Sequence, residues 1–473
     1  MASSVSTLSS AFYRLNFIPK PLLSSPLKTL KWQKQLLLTP RHSPFISSPS
    51  LPYSLSSHFS TIRNCVSPRY NNEKVIPVED LVVLGIETSC DDTAAAVVRG
   101  NGEILSQVVS SQADLLARNG GVDPKMAGEA HLQVIDQVVQ ETLDKANLTE
   151  KDLSAVAVTI GPGLSICLRV GVQKARKVAG RFNLPIISVH HMEAHTLVAR
   201  LMEKNLQFPF VALLISGGHN LLILAHDLGQ YTQLGTTIDD AIGEAFDKTA
   251  KWLGLDMRKS GGPAIEELAR EGNAESVRFS IPMKQHKDCN FSYAGLKTQV
   301  KLAIASKNID ATIPISRASS QDRSSRADIA ASFQRVAVLH IEERCQRAIE
   351  WALKIEPSIK SLVVSGGVAS NQYVRAQLNQ IVKNNGLQLV CPPPSLCTDN
   401  GVMVAWTGIE QFAVGRYDPP PPANEPEDFV YDVRPRWPLG EEYAEGRSKA
   451  RSLRRVRIYP SLTSLVQASL QQQ

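Results

Sequence analysis

The chain has 473 residues, seven cysteines and a formal charge of +6 at pH 7. The cysteines form no CxxC pair, which argues against a disulfide framework and against a cysteine zinc site. No apolar run approaches the ~18 residues of a membrane span, so the sequence predicts a soluble or at most peripheral protein.

The first 72 residues differ in composition from the rest of the chain. They contain eight Lys or Arg and sixteen Ser but neither Asp nor Glu, which is typical of a cleaved organelle transit peptide. A disordered tail that the mature protein keeps is the alternative. We assign residues 1–77 to a transit peptide and linker and predict a mitochondrial location, with a plastid as the alternative. Without those eight cations, 43 Lys and Arg face 45 Asp and Glu, so a nucleic-acid-binding surface must be a local basic patch.

From about residue 78, the predicted elements occur in an order that the chain repeats. The first half has predicted strands at 81–87 and 94–98, a helix at 125–144, a strand at 155–160, a helix after the turn 161–163, a strand at 185–189 and a helix from about 190. The second half has predicted strands at 210–215 and 221–225, a helix at 326–353, a strand at 361–364, a helix from 371, a strand at 387–390 and a helix from about 398.

Each half is a sheet with covering helices, so we predict an α/β fold of two duplicated lobes around a cleft. We expect the first lobe at 78–205 and the second at 206–439, with an insertion at about 239–323. The basic segment 440–473 is expected to be a disordered C-terminal tail.

His191 and His195 lie four residues apart, directly after a predicted strand. On a helix this spacing places both rings on one face, where they could bind one divalent ion; ordinary helix histidines are the alternative. Glu193 is rotated by about 200° from His191, so it points away from such an ion and does not fit the general base of a zinc protease.

Asp399 begins the final helix of the second half, as His191 does in the first half. Pseudo-symmetric lobes would bring the two helix starts together and complete a set of two histidines and one aspartate. Nitrogen and oxygen ligands of this kind fit zinc, iron or manganese. Helix capping is the alternative role for Asp399.

Two glycine turns, Ser216–Gly217–Gly218 and Ser365–Gly366–Gly367, each follow a predicted buried strand. The missing Cβ atoms let backbone N–H groups approach an anion. The second turn leads into a helix at Asn371, whose N-terminus also favours negative charge. Because the turns lie at matching points of the two halves, we predict nucleotide binding; ordinary tight turns are the alternative.

Nine short segments support a more specific assignment. In chain order they are GIETSCD at 85–91, GPGL at 161–164, HHMEAH at 190–195, ISGGH at 215–219, GEAFDKTAK at 243–251, FSYAGLKT at 291–298, GGVASN at 366–371, CTDNG at 397–401 and RPRWP at 434–438. Together they resemble the bacterial and organellar tRNA N6-adenosine threonylcarbamoyltransferase family, once named O-sialoglycoprotein endopeptidase. The resemblance spans about residues 81–439.

This resemblance implies the two-lobed fold of actin, heat-shock-70 proteins and sugar kinases. It also implies a reaction, in which threonylcarbamoyl-adenylate donates its threonylcarbamoyl group to N6 of adenosine-37, 3′ of the anticodon, in tRNAs that read codons beginning with A. The products are N6-threonylcarbamoyladenosine and AMP. A separate synthase would supply the adenylate, and organellar relatives suggest a homodimer.

By position, the resemblance assigns His191, His195 and Asp399 to one divalent cation, iron or zinc, which would act as a Lewis acid. The residues assigned to the adenylate are Leu214, Ile215, Ser216, Gly217, Gly218, Asp247, Gly262, Glu266 and Asn371. Our candidate for the general base is Asp91, since attack by the adenine amine requires loss of a proton; a turn aspartate is the alternative. Asp92 stands where the family commonly has glutamate, and Asp123 and Lys125 also depart from its pattern.

Two basic clusters could bind tRNA phosphates, although charged runs are usually solvated surface. One cluster is Lys174, Arg176, Lys177 and Arg181, and the other is Arg447, Lys449, Arg451, Arg454, Arg455 and Arg457. Three other classes compete with the transferase: a metalloprotease, a small-molecule kinase of the same fold, and a non-catalytic nucleotide-binding scaffold.

Overall fold

Two mixed β-sheets form the framework of the chain in a computed structural model. The structure describes residues 77–112, 122–257, 260–426 and 429–446, all within one compact unit that spans 68–473. The predicted transit segment up to residue 76 and the six cations of the predicted tail, from Arg447 to Arg457, lie outside the described residues. No helix in the described ranges is long and apolar enough to cross a membrane.

The strands and helices have the following bounds. The strands are β1 Val82–Glu87, β2 Asp92–Arg99, β3 Ile104–Ser111, β4 Ala155–Gly161, β5 Ile186–His190, β6 Phe210–Ile215, β7 Asn220–Asp227, β8 Gln230–Thr236, β9 Ser361–Ser365, β10 Gln388–Val390 and β11 Glu441–Glu442. The helices are α1 Pro124–Ala146, α2 Ser165–Phe182, α3 His191–Met202, α4 Ile242–Trp252, α5 Gly261–Ala269, α6 Ala294–Ser306, α7 Ser320–Ile355, α8 Gln372–Asn384, α9 Pro394–Cys397 and α10 Gly401–Ala413.

The two sheets repeat one strand order. In the first, β3-β2-β1 form an antiparallel meander, and β4 and then β5 continue the sheet parallel to β1. In the second, β8-β7-β6 form the same meander and β9 and β10 continue it in parallel, with β11 added beside β8. The repeat confirms the predicted α/β fold with two duplicated lobes.

The third strand of each meander was missing from the predicted elements. Ser106 is the one buried residue of β3, whose other side chains are partly or fully exposed. Strand β8 carries Gln230, Thr232 and Gln233 among its seven residues. Neither strand therefore has the continuous apolar run that marks a buried strand.

Helices α1 and α2 cover one face of the first sheet. The buried residues of α1 recur every three or four positions, which places one stripe against the sheet. Asp123 is the N-cap of α1, since its carboxylate accepts from the backbone N–H groups of Lys125 and Met126, both at 3.0 Å. The departure from the family pattern at these positions therefore preserves a helix start.

Helices α3 and α10 both pack across the boundary between the lobes, and α3 contacts both sheets, since its Ala194 and Val198 belong to the first-sheet core. Helix α10 follows the strands of the second sheet, yet Val402, Met403 and Val404 share a core with Val83 and Ala96 of the first sheet. Helix α3 follows the first sheet, yet Met192 and Ala199 share a core with Phe210, Ala212 and Val363 of the second. Both helices therefore pack against strands that lie beyond the predicted boundary at residues 205 and 206.

A close approach of backbones fixes α10 on the first sheet. A Cβ atom added to Gly85 of β1 would lie 2.3 Å from the backbone nitrogen of Ala405, and one added to Gly401 would lie 2.4 Å from the carbonyl carbon of Ala95. Any side chain at either position would separate the helix from the strands.

The segment after α10 contacts both lobes. Asp418 pairs with Ile186 beside β5, and Val433 belongs to the core of the first lobe. Leu439 belongs to the core beside the second sheet, which β11 then extends.

The predicted insertion contains α4, α5 and α6, which pack with α7 in one core. Arg326, near the start of α7, is fully buried. Its guanidinium donates to the Asp322 carboxylate and to the carbonyls of Leu253, Asp310 and Ile313. This one side chain joins α4, the segment before α7 and α7 itself.

Arg326→Ala should lower the free energy of unfolding by about 3 kcal/mol, because it leaves a carboxylate and three carbonyls without their buried donor. Denaturant unfolding measures the change. Arg323→Ala is the matched control, since Arg323 pairs with Glu271 at the surface, and it should barely move the midpoint. Equal shifts for the two variants would contradict this role of Arg326.

Candidate metal centre and nucleotide cradle

Three histidines at the junction of β5 and α3 have different tasks. His190 is the N-cap of α3: its Nδ1 accepts from the backbone N–H groups of Met192 and Glu193, at 3.1 and 3.4 Å. Its Nε2 lies 3.1 Å from the carbonyl of Trp437. Burial lowers the pKa of His190 to about 3, so the ring is neutral, as its acceptor role requires. His191 and His195 are thereby left free to face the cleft.

The structure brings His191, His195 and Asp399 together. The Nε2 atom of His195 lies 3.0 Å from Oδ1 of Asp399, and the Nε2 atom of His191 lies 3.7 Å from the same oxygen. One ligand atom from each residue falls within 4.8 Å of the others. Two imidazoles and one carboxylate fit a divalent ion of the zinc or iron type, with positions left for other ligands.

Asn400, rather than Asp399, caps α10. The side-chain oxygen of Asn400 accepts from the backbone N–H of Met403 at 2.8 Å. The alternative role for Asp399 as a helix cap is therefore taken by its neighbour, and the Asp399 carboxylate turns to the histidines.

The cluster is built to hold a positive charge. Burial alone would lower the pKa of His191, but the charges of Glu87 and Asp399 raise it to about 9. Burial alone would raise the pKa of Asp399, but the charge of His191 and the hydrogen bond from His195 hold it well below its usual range. A cation between these groups, whether a proton or a metal ion, is thus strongly favoured.

Glu87, the last residue of β1, supports His191 from behind. It is fully buried, and its Oε2 lies 3.2 Å from Nδ1 of His191 and accepts from Oγ1 of Thr159 at 2.6 Å. Its Oε1 accepts from the backbone N–H of Ser89 at 2.6 Å. Donation from Nδ1 to Glu87 presents the Nε2 lone pair of His191 toward Asp399.

His195 has no such support among the residues that the structure describes, where its buried Nδ1 lacks a hydrogen-bond partner. Sequence reasoning did not select Glu87 as a functional residue. The available signal was an acidic residue that closes an apolar strand inside the GIETSCD segment.

Glu193 points away from the cluster, as its helical position predicts. Its Oε1 accepts from the hydroxyl of Tyr231 at 2.7 Å and from the backbone N–H of Gly229 at 3.1 Å. Its Oε2 accepts from the amide of Gln411 at 3.1 Å. Glu193 therefore joins α3 to the second sheet and to α10.

The loop between β1 and β2 carries two carboxylates beside the cluster. Burial, with a further contribution from the charge of Asp399, raises the pKa of Asp91. Burial raises the pKa of Asp92 to about 7. His131 of α1 lies behind this loop, with Nδ1 2.7 Å from Oγ1 of Thr93 and Nε2 3.1 Å from the carbonyl of Cys90. Asp91 thus lies close enough to Asp399 for that charge to raise its proton affinity further.

The two glycine turns meet at the ends of β6 and β9. Gly366 has a φ of +94°, and a Cβ atom there would lie 2.4 Å from the carbonyl oxygen of Ile215. By contrast, no atom lies within 4 Å of a Cβ position at Gly217, Gly218 or Gly262. These three glycines border open space, and we call them, with Ser216, the glycine cradle.

The other residues assigned to the adenylate surround this cradle in different ways. Asp247 accepts from the backbone N–H of Gly261 at 2.8 Å. Glu266 accepts from the backbone N–H of Gln372 at 2.9 Å. Asn371 is the N-cap of α8. Leu214 and Ile215 are buried in the sheet, so only their backbones can reach a ligand.

The second glycine turn and the residue that follows the cradle both lie beside the cluster of His191, His195 and Asp399. A Cβ atom at Gly367 would lie 3.8 Å from Cγ2 of Thr398, the residue before Asp399. His219, which follows the cradle, is within range of the charges of His191, His195 and Asp399. Sequence reasoning did not select His219; its place directly after two glycines was the available signal.

A family model described as tRNA N6-adenosine threonylcarbamoyltransferase (TsaD) matches residues 103–406. An Arabidopsis thaliana protein named probable tRNA N6-adenosine threonylcarbamoyltransferase, mitochondrial, is 70% identical over 99% of this chain and 98% of its own length. A Rhizobium etli (strain CIAT 652) enzyme is 44% identical over 76% of this chain and 94% of its own length. A mitochondrial Xenopus tropicalis enzyme is 43% identical over 71% of this chain and 83% of its own length.

This chain belongs to the tRNA N6-adenosine threonylcarbamoyltransferase family. It is therefore a transferase, which confirms the predicted enzyme class and family. The orientation of Glu193 agrees, because it leaves the metal centre without the glutamate that a zinc protease needs.

Two of the four cations in the predicted basic cluster at 174–181 form ion pairs within the chain. Lys174 pairs with Asp136 at 2.7 Å. Arg176 donates to both carboxylate oxygens of Glu425, and its guanidinium lies over the rings of Phe429 and Tyr431, 5.1 and 4.9 Å from their centroids. Lys174 and Arg176 thus use their charges within the chain, whereas Lys177 and Arg181 are exposed, and phosphate binding by this cluster stays a prediction.

Glu87→Gln should weaken metal binding by roughly 10- to 100-fold, because the amide is a poorer acceptor for His191 and adds no charge. Competition with a chelator on the purified chain measures the affinity for zinc or iron. Glu193→Gln is the matched control, since Glu193 is also a buried carboxylate on a neighbouring element. The metal affinity of this variant should match that of the wild type. Unchanged affinity in Glu87→Gln would refute the supporting role.

Proposed function

We propose that the chain transfers a threonylcarbamoyl group from threonylcarbamoyl-adenylate to N6 of adenosine-37, 3′ of the anticodon, in tRNAs that read codons beginning with A, with release of AMP. The observation that supports this most directly is the junction of the glycine cradle with the His191, His195 and Asp399 cluster. A nucleotide in the cradle would present its phosphate side to that cluster. tRNA as substrate follows from the names of the relatives.

The cradle suits the adenylate part of the donor. Backbone N–H groups at Gly217 and Gly218 can donate to anionic or polar oxygens without interference from side chains. Oδ1 of Asp247 is used by Gly261, while among the described residues no hydrogen bond engages its second oxygen, which can accept from a ribose hydroxyl. Asn371 and Glu266 keep the start of α8 in place beside the ligand.

In the transfer step, the adenine N6 attacks the carbamoyl carbon, a carbon–nitrogen bond forms, and the carbon–oxygen bond to the phosphate breaks. We assign to Asp91 the proton that N6 loses. The raised pKa of Asp91 favours this, because a carboxylate of higher proton affinity is a stronger base. His191, His195 and Asp399 would hold one divalent ion, iron or zinc, which would supply Lewis-acid stabilisation of developing negative charge.

Asp91→Asn should lower kcat by about 100-fold or more, because an amide cannot accept the proton, while the KM for the adenylate stays near that of the wild type. The assay combines threonylcarbamoyl-adenylate with unmodified tRNA and quantifies the modified nucleoside by mass spectrometry. Asp136→Asn, which changes an exposed carboxylate on α1, is the control and should stay fully active.

The same assay on the wild-type chain tests the proposed function itself. Formation of N6-threonylcarbamoyladenosine with one AMP per transfer supports the proposal. Consumption of ATP that does not depend on tRNA would instead support a small-molecule kinase, and binding of nucleotide without any modified tRNA would support a scaffold.

We propose a mitochondrial location for the enzyme, and a separate synthase that supplies its adenylate. The mitochondrial names of the Arabidopsis and Xenopus relatives support the location, as does the absence of acidic residues from the first 72 positions. The location is tested by fusing residues 1–77 to a reporter and comparing its import into isolated mitochondria with its import into isolated plastids.

We propose a homodimer that forms through α1 and α2. Leu132 is 59% exposed and Ile166 is 48% exposed, and the two helices touch, since a Cβ atom at Gly128 would lie 2.4 Å from Ile166. Leu132→Glu with Ile166→Glu should therefore shift the mass in light scattering from dimer to monomer. Leu302→Glu, at a side chain that is 65% exposed on α6, is the control and should leave the mass unchanged.

A further inference from the structure

The segment Arg434–Pro435–Arg436–Trp437–Pro438 has no role in the function proposed so far, although its sequence is one of the nine family segments. It is also held against the site. The backbone N–H of Arg434 donates to the carbonyl of Ile160 at 2.7 Å, and the carbonyl of Pro435 accepts from Gly163 at 3.2 Å. The carbonyl of Trp437 lies 3.1 Å from Nε2 of His190. The segment thus lies across the carboxyl ends of β4 and β5, where α3 and its histidines begin.

The contact with the turn after β4 is close. A Cβ atom at Gly161 would lie 1.9 Å from the carbonyl oxygen of Arg434, and one at Gly163 would lie 2.5 Å from the carbonyl oxygen of Ser89. The backbone N–H of Leu164 also donates to Ser89 at 2.8 Å. Since Ser89 lies two residues before Asp91, the segment borders the loop that carries the candidate base.

Both arginine side chains of the segment are exposed and available. Arg434 lies over the ring of Trp437, with the guanidinium carbon 4.6 Å from the ring centroid. Within the described ranges neither Arg434 nor Arg436 has an ion-pair partner. Arg176, Arg200 and Arg326, in contrast, pair with Glu425, Glu410 and Asp322. Two unpaired guanidinium groups on a proline-restrained segment are suited to an anionic partner.

The charge of the neighbouring site explains why such groups are useful there. Glu87, Asp91, Asp92 and Asp399 gather at the same end of the first sheet, and the charge of Asp399 contributes to the raised pKa values of Asp91 and Asp92. His191 compensates Glu87 and Asp399, but no cation among the described residues compensates Asp91 and Asp92, which when ionised would repel an approaching polyanion unless cations flanked its path. Arg434 and Arg436 are placed to provide that positive charge.

We propose that Arg434 and Arg436 form a phosphate-binding ridge that holds the RNA backbone next to the adenosine to be modified. The inference rests on the proposed function, in which tRNA is the acceptor. The ridge belongs to the first-lobe side of the site, whereas the glycine cradle belongs to the second sheet. Its ligand is therefore the acceptor RNA rather than the phosphate of the adenylate.

The test is equilibrium binding of unmodified tRNA to the full chain, without adenylate, at several salt concentrations. Arg434→Gln with Arg436→Gln should raise the Kd about tenfold or more near physiological salt, and should reduce the slope of log K against log salt by roughly 1.4 to 1.8, as expected for two lost phosphate contacts. Arg434→Lys with Arg436→Lys should restore most of the slope, because the charge returns. The KM for the adenylate should not change in any of these variants.

Lys354→Gln with Lys360→Gln is the matched control. It removes the same charge from two exposed lysines near the amino end of β9, away from the glycine turns at its carboxyl end, and tRNA binding should match the wild type. An unchanged Kd and slope in the double Gln variant would overturn the ridge. A loss confined to adenylate affinity would also overturn the ridge, because it would assign the arginines to the small molecule. A lowered unfolding midpoint that the Lys variant shares would overturn it as well, because it would give the arginines a structural role.

The outcomes separate this inference from the proposed function. A wild type that binds and modifies tRNA, with a double Gln variant that binds equally well, overturns only the ridge. A wild type whose tRNA binding depends on the two arginines but which forms no modified nucleoside overturns only the proposed reaction.

Discussion

The contact of α10 with the first sheet determines where the reactive groups of this enzyme meet. Because Gly85 and Gly401 allow backbone to approach backbone, α10 lies on β1 and β2 although it follows the strands of the other lobe. The N-terminus of α10 therefore lies between the lobes, and Asp399, two residues before Gly401, lies there as well. Helix α3 lies between the two sheets, with Val198 in the core of the first and Ala199 in the core of the second, so two helix starts supply one cluster of ligands.

Burial in this crossing region gives the site its electrostatic character. Glu87 and Asp399 are ionised because His191 and several hydrogen-bond donors compensate them. Asp91 and Asp92 have less compensation, and burial raises their pKa values. The site thus combines carboxylates of two kinds, ionised groups that favour a cation and groups of higher proton affinity that can accept a proton.

The sequence was sufficient where a role depends on local spacing or on the repeat. The four-residue interval between His191 and His195 predicts one helical face, and the duplicated order predicts that Asp399 faces them. Features that depend on distant partners could not be predicted. Nothing near Arg176 indicates that Glu425 will neutralise it, and the choice of Asn400 over the adjacent Asp399 as the cap depends on where the helix begins. Strands β3 and β8 were missed because polar and partly exposed residues interrupt their apolar side chains.

The segment after α10 adds a second constraint of the same kind. It pairs with the first sheet at Ile186 and extends the second sheet as β11, while Val433 and Leu439 enter the cores of different lobes. Together with α3 and α10, it makes three crossings between the lobes, each with buried apolar contacts. A wide rotation of one lobe against the other would expose those contacts to water, which costs free energy in proportion to the area exposed. The distance between the cradle and the cluster of His191, His195 and Asp399 is therefore set by packing rather than by a movement of the lobes.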